Sequence, residues 1–449
     1  MTGKERIYKI MKNQKTDKLP WIPFAGVHAG KLIGVTAKET LQDGDKLLKA
    51  LLEVNKIYRP DGQPVIFDLQ VEAEILGCEL KWAEDAPPTV VTHPLADSSD
   101  IPDKIPTKSE GRLPMIIDVM EKMKNELGDR TALYGLICGP FTLASHLRGT
   151  NLFMDMITDP DYVIELLNYT QEVAMAMSEY YIQAGIDVVA VVDPMVSQIS
   201  PDHFREFLRV PFSKLFAFIR RKGALSSFFV CGNASFNIEE MCITKPDSIS
   251  VDENVDLASA KKTTDKYDIV IGGNIPLTTV MLFGTQQDNM KCVIDLIDSL
   301  DNIDNLIIAP GCDMPYDVPI ENAVAVEQAV HQTEQTREMV ANYEAVEDDI
   351  EVELPDYDNL TKPLIEVFTL DSDTCAACTY MMAAANEAAD YFAEKVKIEE
   401  YKYTSRENIA RTKKMGVKNL PSLYINGELA YASIVPNRAA LIERIEKWL

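Results

Sequence analysis

Leu225-Ser-Ser-Phe-Phe-Val230-Cys231-Gly232 and Asn305-Leu-Ile-Ile-Ala-Pro310-Gly311-Cys312 are short apolar runs, each ending at a cysteine beside a glycine. Both read as strands covered on two faces, because they are apolar throughout and not merely at alternate positions. Six further runs share this character, at 21–26, 64–67, 132–138, 187–192, 248–251 and 268–274. Helical patterns separate them. Ser200-Pro201, for example, supplies an N-cap and a proline at the first helical position, and Phe204, Phe207 and Leu208 then share one face. Such alternation argues for an α/β fold of parallel βαβ units, and the count of eight predicts a (β/α)8 TIM barrel. Residues that follow barrel strands converge on one mouth, so Cys231 and Cys312 are expected there together, and two thiols suit a soft metal ion.

The predicted barrel covers residues 1–343, and residues 344–362 form an acidic stretch without sustained periodicity that reads as a linker. A second module covers residues 363–449. It opens with a strand at 364–370, after which Cys375-Ala-Ala-Cys378 begins a helix rich in alanine and methionine. A strand at 395–401, a helix capped by Ser405, a hairpin turning at Asn426-Gly427 and a last helix capped by Asn437 complete it.

The formal net charge of −26 disfavours nonspecific binding to nucleic acid, to an anionic membrane surface or to a polyanionic substrate. The charged N-terminus has no apolar core of the secretory kind, and no apolar run approaches membrane-spanning length. Eight mostly scattered cysteines do not resemble a secreted disulfide framework. The expected location is a reducing cytoplasm.

The order of elements in the second module, with its C-x-x-C at a helix start and Pro421 at the start of the hairpin, resembles the thioredoxin/glutaredoxin fold. That resemblance implies Cys375 as the exposed nucleophile, Cys378 as the resolving thiol, and a cis peptide before Pro421. The helix N-terminus favours a thiolate at Cys375. Thr374 stands where the family usually has an aromatic residue.

In the first module, Val71-Glu-Ala-Glu-Ile-Leu-Gly77, Gly139-Pro-Phe-Thr-Leu-Ala144, Ser200-Pro-Asp-His-Phe204, Val230-Cys-Gly-Asn233 and Ala309-Pro-Gly-Cys312 resemble the uroporphyrinogen decarboxylase superfamily. Its decarboxylase branch places arginines after the first strand, where this chain has Gly26-Val-His28-Ala-Gly30, although Asp68 matches that branch's aspartate. Its other branch comprises zinc methyltransferases that move a methyl group from a corrinoid to a thiol such as coenzyme M. They carry His-x-Cys after strand five and Cys after strand eight. Cys231 and Cys312 match the two cysteines, but Phe229 occupies the histidine position. A third zinc ligand is then expected from Asp252 or Glu253, or from His28. His28, Asp68, Asp193 and Asn274, all just past predicted strands, are the candidates for substrate binding.

The resemblance implies a methyltransferase that takes a methyl group from a corrinoid, carried on a separate protein because D-x-H-x-x-G is lacking here, and passes it to a thiol or pterin. A homo-oligomer is compatible with the chain. The rival expectation is a thiol–disulfide oxidoreductase whose barrel binds the substrate without methyl transfer. A uroporphyrinogen decarboxylase-type carboxy-lyase ranks below both.

Overall fold

A computed structural model of the chain describes residues 1–344, 350–373 and 375–449. Two compact units emerge, a larger one made of Met1–Val196 and Ser200–Ala345 and a smaller one whose main stretch is Val346–Leu449.

The larger unit is built on a seven-stranded sheet. Its strands are β1 (Gly62–Ile66), β2 (Ala132–Cys138), β3 (Val188–Val192), β4 (Leu225–Val230), β5 (Ser248–Val251), β6 (Val270–Ile275) and β7 (Leu306–Pro310). They pair in chain order, and every pairing is parallel. Helices separate them, as right-handed crossovers require. The run at 21–26, expected as the first of eight strands, is instead an isolated parallel bridge between Trp21 and Ile308. Pro20 and Pro23 explain this correction, since a proline nitrogen has no hydrogen to donate to a ladder. The run still reaches both edges of the sheet. Ile22 N–H donates to Ile308 O at 3.0 Å, and Asp61 N–H donates to Trp21 O at 2.9 Å, so it closes the curled sheet into a barrel-like ring.

Side chains alternate between the two faces of each strand. On β4, Phe228 points outward, where its ring lies 4.4 Å from Phe212 and 5.3 Å from Phe216. Phe229 points inward, where it joins Phe24, Phe67, Tyr134, Val192 and Ile307 in the core that fills the ring.

The smaller unit holds β8 (Leu364–Thr369), β9 (Lys397–Lys402), β10 (Ser422–Ile425) and β11 (Glu428–Ala432) in the order β9-β8-β10-β11. β8 and β9 are parallel, and the other pairings are antiparallel. The β10–β11 turn has positive φ at Asn426 (47°) and Gly427 (78°), the backbone of a type I′ turn. The helices Ala376–Phe392 and Arg438–Glu446 cover one face through Met381, Ala385, Ala388, Leu441 and Ile445. The expected linker lies in part outside the described residues, at 345–349. Beyond it, residues 350–362 rest on the smaller unit. Tyr357 OH donates to Glu366 at 2.7 Å, and Lys414 Nζ donates to Val352 O at 2.6 Å.

Candidate functional site

Cys231 and Cys312 follow β4 and β7, at the C-terminal ends of barrel strands where active sites of this architecture assemble. The two are joined in a disulfide with 5.9 Å between their Cα atoms, although 81 residues separate them in the chain. Both are partly exposed and rest on the apolar interior of the ring.

A His-x-Cys spacing places both side chains on one face of a strand, so residue 229 faces the same interior as residue 231. Here that position holds a fully buried ring, 4.8 Å from Phe24 and 5.9 Å from Phe67. The alternative ligands are engaged elsewhere. Asp252 is buried and accepts from Asn254 N–H at 2.9 Å and from the Asn254 side-chain amide. Glu253 accepts from Leu277 N–H. His28 is buried, with Nδ1 donating to Tyr316 O at 2.9 Å and Nε2 accepting from Tyr58 OH at 2.7 Å. Burial lowers its pKa to about 4, so the ring is neutral. Among the described residues, no group of three or more His, Cys, Asp or Glu side chains is placed to hold a metal ion. The zinc set that the resemblance implies therefore does not fit these residues.

The 252–253 loop nevertheless adjoins the cysteine pair. A Cβ on Gly311 would lie 2.7 Å from Glu253 N, a close approach that only glycine permits. Asn274 secures this loop, because its amide donates to Asp252 O at 2.9 Å and to Val255 O at 2.7 Å. Asp193 is likewise a bracing group. Fully buried, it accepts from Phe141 N–H at 2.9 Å, Thr142 N–H at 3.0 Å and Thr142 OH at 2.6 Å, and so caps the helix Pro140–Arg148.

Asp68 follows β1 and pairs with Arg112 at 2.6 Å, while Arg112 Nε donates to Glu74 at 2.7 Å. Sequence reasoning missed Arg112, which lies 44 residues from Asp68 with no local pattern to link the two. It also missed Glu72 and Asp313. Glu72 is buried, with one oxygen accepting from Cys138 N–H at 3.0 Å and the other lacking a hydrogen-bond partner among the described residues. Asp313 accepts from Gly26 N–H at 2.7 Å. Its position directly after Cys312 was the available signal. Burial raises Glu72, Glu253 and Asp313 to about 8 and Asp193 to about 7. A site with several carboxyls protonated near neutrality and one cation already engaged by two carboxylates is poorly suited to a polycarboxylate substrate.

In the smaller unit Cys375 is the N-cap of the helix Ala376–Phe392, and its sulfur accepts from Cys378 N–H at 3.4 Å. Cys378 is fully buried, accepts from Leu370 N–H at 3.3 Å, and has its thiol pKa pushed well up, first by burial. The Leu420–Pro421 peptide is cis. Thr374 lies outside the described residues. Among the described residues, no helix is long and apolar enough to cross a membrane.

Comparison with known proteins covers the larger unit. Residues 2–333 match the family described as Uroporphyrinogen decarboxylase (URO-D). The Methylcobamide:CoM methyltransferase MtbA of Methanosarcina acetivorans is 26% identical over 329 residues, which cover 72% of this chain and 95% of that protein. The Uroporphyrinogen decarboxylase of Nostoc punctiforme is 24% identical over 58% of this chain and 74% of its own length. A solved structure described as a methyltransferase from Methanosarcina mazei superposes with a TM-score of 0.67 at 22% identity, over 74% of this chain and 99% of that one, and so shares the fold.

Proposed function

The chain belongs to the uroporphyrinogen decarboxylase (URO-D) family, and from that premise we propose that it is a methyltransferase that moves a methyl group from a methylated corrinoid, carried by a separate protein, to a small thiol or pterin. One observation carries this reading. Similarity to the methylcobamide:CoM methyltransferase of Methanosarcina acetivorans runs over 95% of that enzyme at 26% identity, and this chain has cysteines after β4 and β7, whereas the Nostoc punctiforme decarboxylase is matched over 74% of its length at 24% identity. For a thiol acceptor the carbon–cobalt bond breaks with its electron pair left on cobalt, a carbon–sulfur bond forms, and the thiol proton departs. Glu253 and Asp313 adjoin Cys312 or lie next to it in sequence. Burial raises both to about 8, so each is largely protonated at neutrality and becomes able to accept the thiol proton only as the pH approaches 8. No step in this reading passes through a resident zinc, which would need the donor atom that Phe229 lacks.

A test is to reduce the purified protein, mix it with methylcobalamin and either coenzyme M or tetrahydrofolate, and follow the corrinoid absorbance. Acceptor-dependent demethylation that falls in Cys312→Ser is expected. Absence of demethylation with both acceptors overturns the reading.

In the same reading the smaller unit is a thioredoxin-like dithiol module. Support comes from its strand order, from Cys375 at a helix N-terminus and from the buried Cys378 one turn further on. The disulfide between Cys231 and Cys312 favours a second reading, a thiol–disulfide oxidoreductase. In that case insulin reduction proceeds and methyl transfer is absent.

A further inference from the structure

We infer that Cys231 and Cys312 are a reversible redox centre within the larger unit: small-molecule disulfides close the pair, small thiols open it, and methyl transfer proceeds only in the open form. The redox chemistry stands on the larger unit alone, and the control of methyl transfer rests on the methyltransferase reading.

The incomplete ligand set is the starting point. Zinc held by thiolates needs further donors to complete a tetrahedral set, and position 229 supplies a buried phenyl ring instead. Among the described residues no third side chain joins the two sulfurs in a metal site, so nothing there holds them as separate thiolates. They are close enough to bond to one another, with 5.9 Å between their Cα atoms, an ordinary span for a disulfide. Both cysteines are partly exposed where they rest on the apolar interior of the ring, so a small reagent reaches them while the core stays closed.

The other cysteines of the larger unit differ. Cys78, Cys138, Cys242 and Cys292 are free. Burial raises Cys78, Cys242 and Cys292 to about 12 and pushes Cys138 well up, so these four stay protonated and poorly nucleophilic. Exchange is thereby directed to one pair. In the closed state the bond ties the end of β4 to the end of β7, and neither sulfur is available as a thiolate. In the open state both are. Where the methyl acceptor is a thiol, its own disulfide is the closing reagent, and the pair reads how far the acceptor pool is oxidised.

The exchange balances without an added atom. One cysteine thiolate attacks a small disulfide RSSR, whose S–S bond breaks as a mixed disulfide forms and RS− departs. The second cysteine loses its proton and attacks the first cysteine's sulfur, which releases a second RS−. The two departing groups take up the two protons that the cysteines lost. RSSR has gained two electrons, and the cysteine pair has given them up. An excess of RSH runs the same steps backwards.

Full-length protein is equilibrated with mixtures of reduced and oxidised glutathione, quenched by alkylation and digested, and the free and linked Cys231 and Cys312 peptides are quantified by mass spectrometry. At fixed oxidised glutathione, a rise of about tenfold in reduced glutathione is expected to raise the dithiol-to-disulfide ratio about a hundredfold, because opening the bond consumes two thiols. A mixed disulfide with glutathione changes only about tenfold, and Cys231→Ser is expected to show this dependence at Cys312. The tenfold dependence in wild type, a pair that stays open in oxidised glutathione alone, or a pair that stays closed in reduced glutathione alone overturns the redox centre. The same samples, freed of glutathione by gel filtration, are expected to demethylate methylcobalamin in proportion to their open fraction. Demethylation that does not follow that fraction overturns the control of methyl transfer. Absence of demethylation in the open form overturns the methyltransferase reading and the control with it, while the peptide ratios still decide the redox centre.

Discussion

Position 229 shows how one side chain redirects a site. Strand periodicity fixes its direction into the ring, and a phenylalanine there contributes packing against Phe24 and Phe67 but no donor atom. Phe229→His in reduced protein is expected to raise bound zinc to about one per chain, measured by metal analysis after dialysis. The same substitution lowers thermal stability, because an imidazole replaces a buried ring. Glu72 supports a prediction of a different kind. Its pKa is raised from 4.5 to about 8, so the folded state holds the proton more tightly than the unfolded state does. The stabilising contribution is complete below pH 4.5 and is lost as pH rises through about 8. Glu72→Gln, which stays neutral throughout, is expected to flatten the fall in Tm across that window and to melt above wild type at its alkaline end. Thermal melts at a series of pH values check this. An unchanged pH profile counts against a buried, protonated Glu72. Of these two residues, the consequence of Phe229 was legible from sequence, because a missing donor atom is a property of the residue type. The state of Glu72 was not, because desolvation depends on what surrounds the carboxyl.

Among the elements, caps and turns were the most legible, because their signals act within a few residues. Ser200, Ser405 and Asn437 each accept from the backbone N–H three residues on, and Asn426-Gly427 makes the hairpin turn. The run at 21–26 was legible as apolar but not as a strand, since its neighbouring prolines weigh against ladder pairing more than its composition favours it. Asp193 was legible as a candidate for substrate binding, and the helix it braces was not. It follows β3 and closes the N-terminus of the helix after β2, a pairing between adjacent βα units. Asp193→Ala leaves Phe141 N–H and the Thr142 groups without their buried acceptor, and a loss of about 2–4 kcal/mol is expected in chemical denaturation. A loss well under about 1 kcal/mol contradicts this bracing role.

At the scale of the whole molecule, each unit encloses an apolar core of its own, one inside the ring and one between the small sheet and its helices. A chain ending at residue 344 is therefore expected to fold. Its far-ultraviolet circular dichroism should show one cooperative melt close to that of the larger unit in the full protein, and a broad, non-cooperative melt counts against independent cores. The amino-acid order by itself determined the alternating α/β plan, the C-x-x-C at a helix start and the two cysteines after barrel strands. All of these rest on local periodicity, local capping chemistry or residue type. Only the tertiary structure decided that Cys231 and Cys312 are close enough to bond, that Arg112 neutralises Asp68, and that Glu72, Glu253 and Asp313 hold their protons near neutrality. The physical reason is common to all three. Distance between remote residues and exclusion of water arise when the ring closes, and no short window of sequence encodes either.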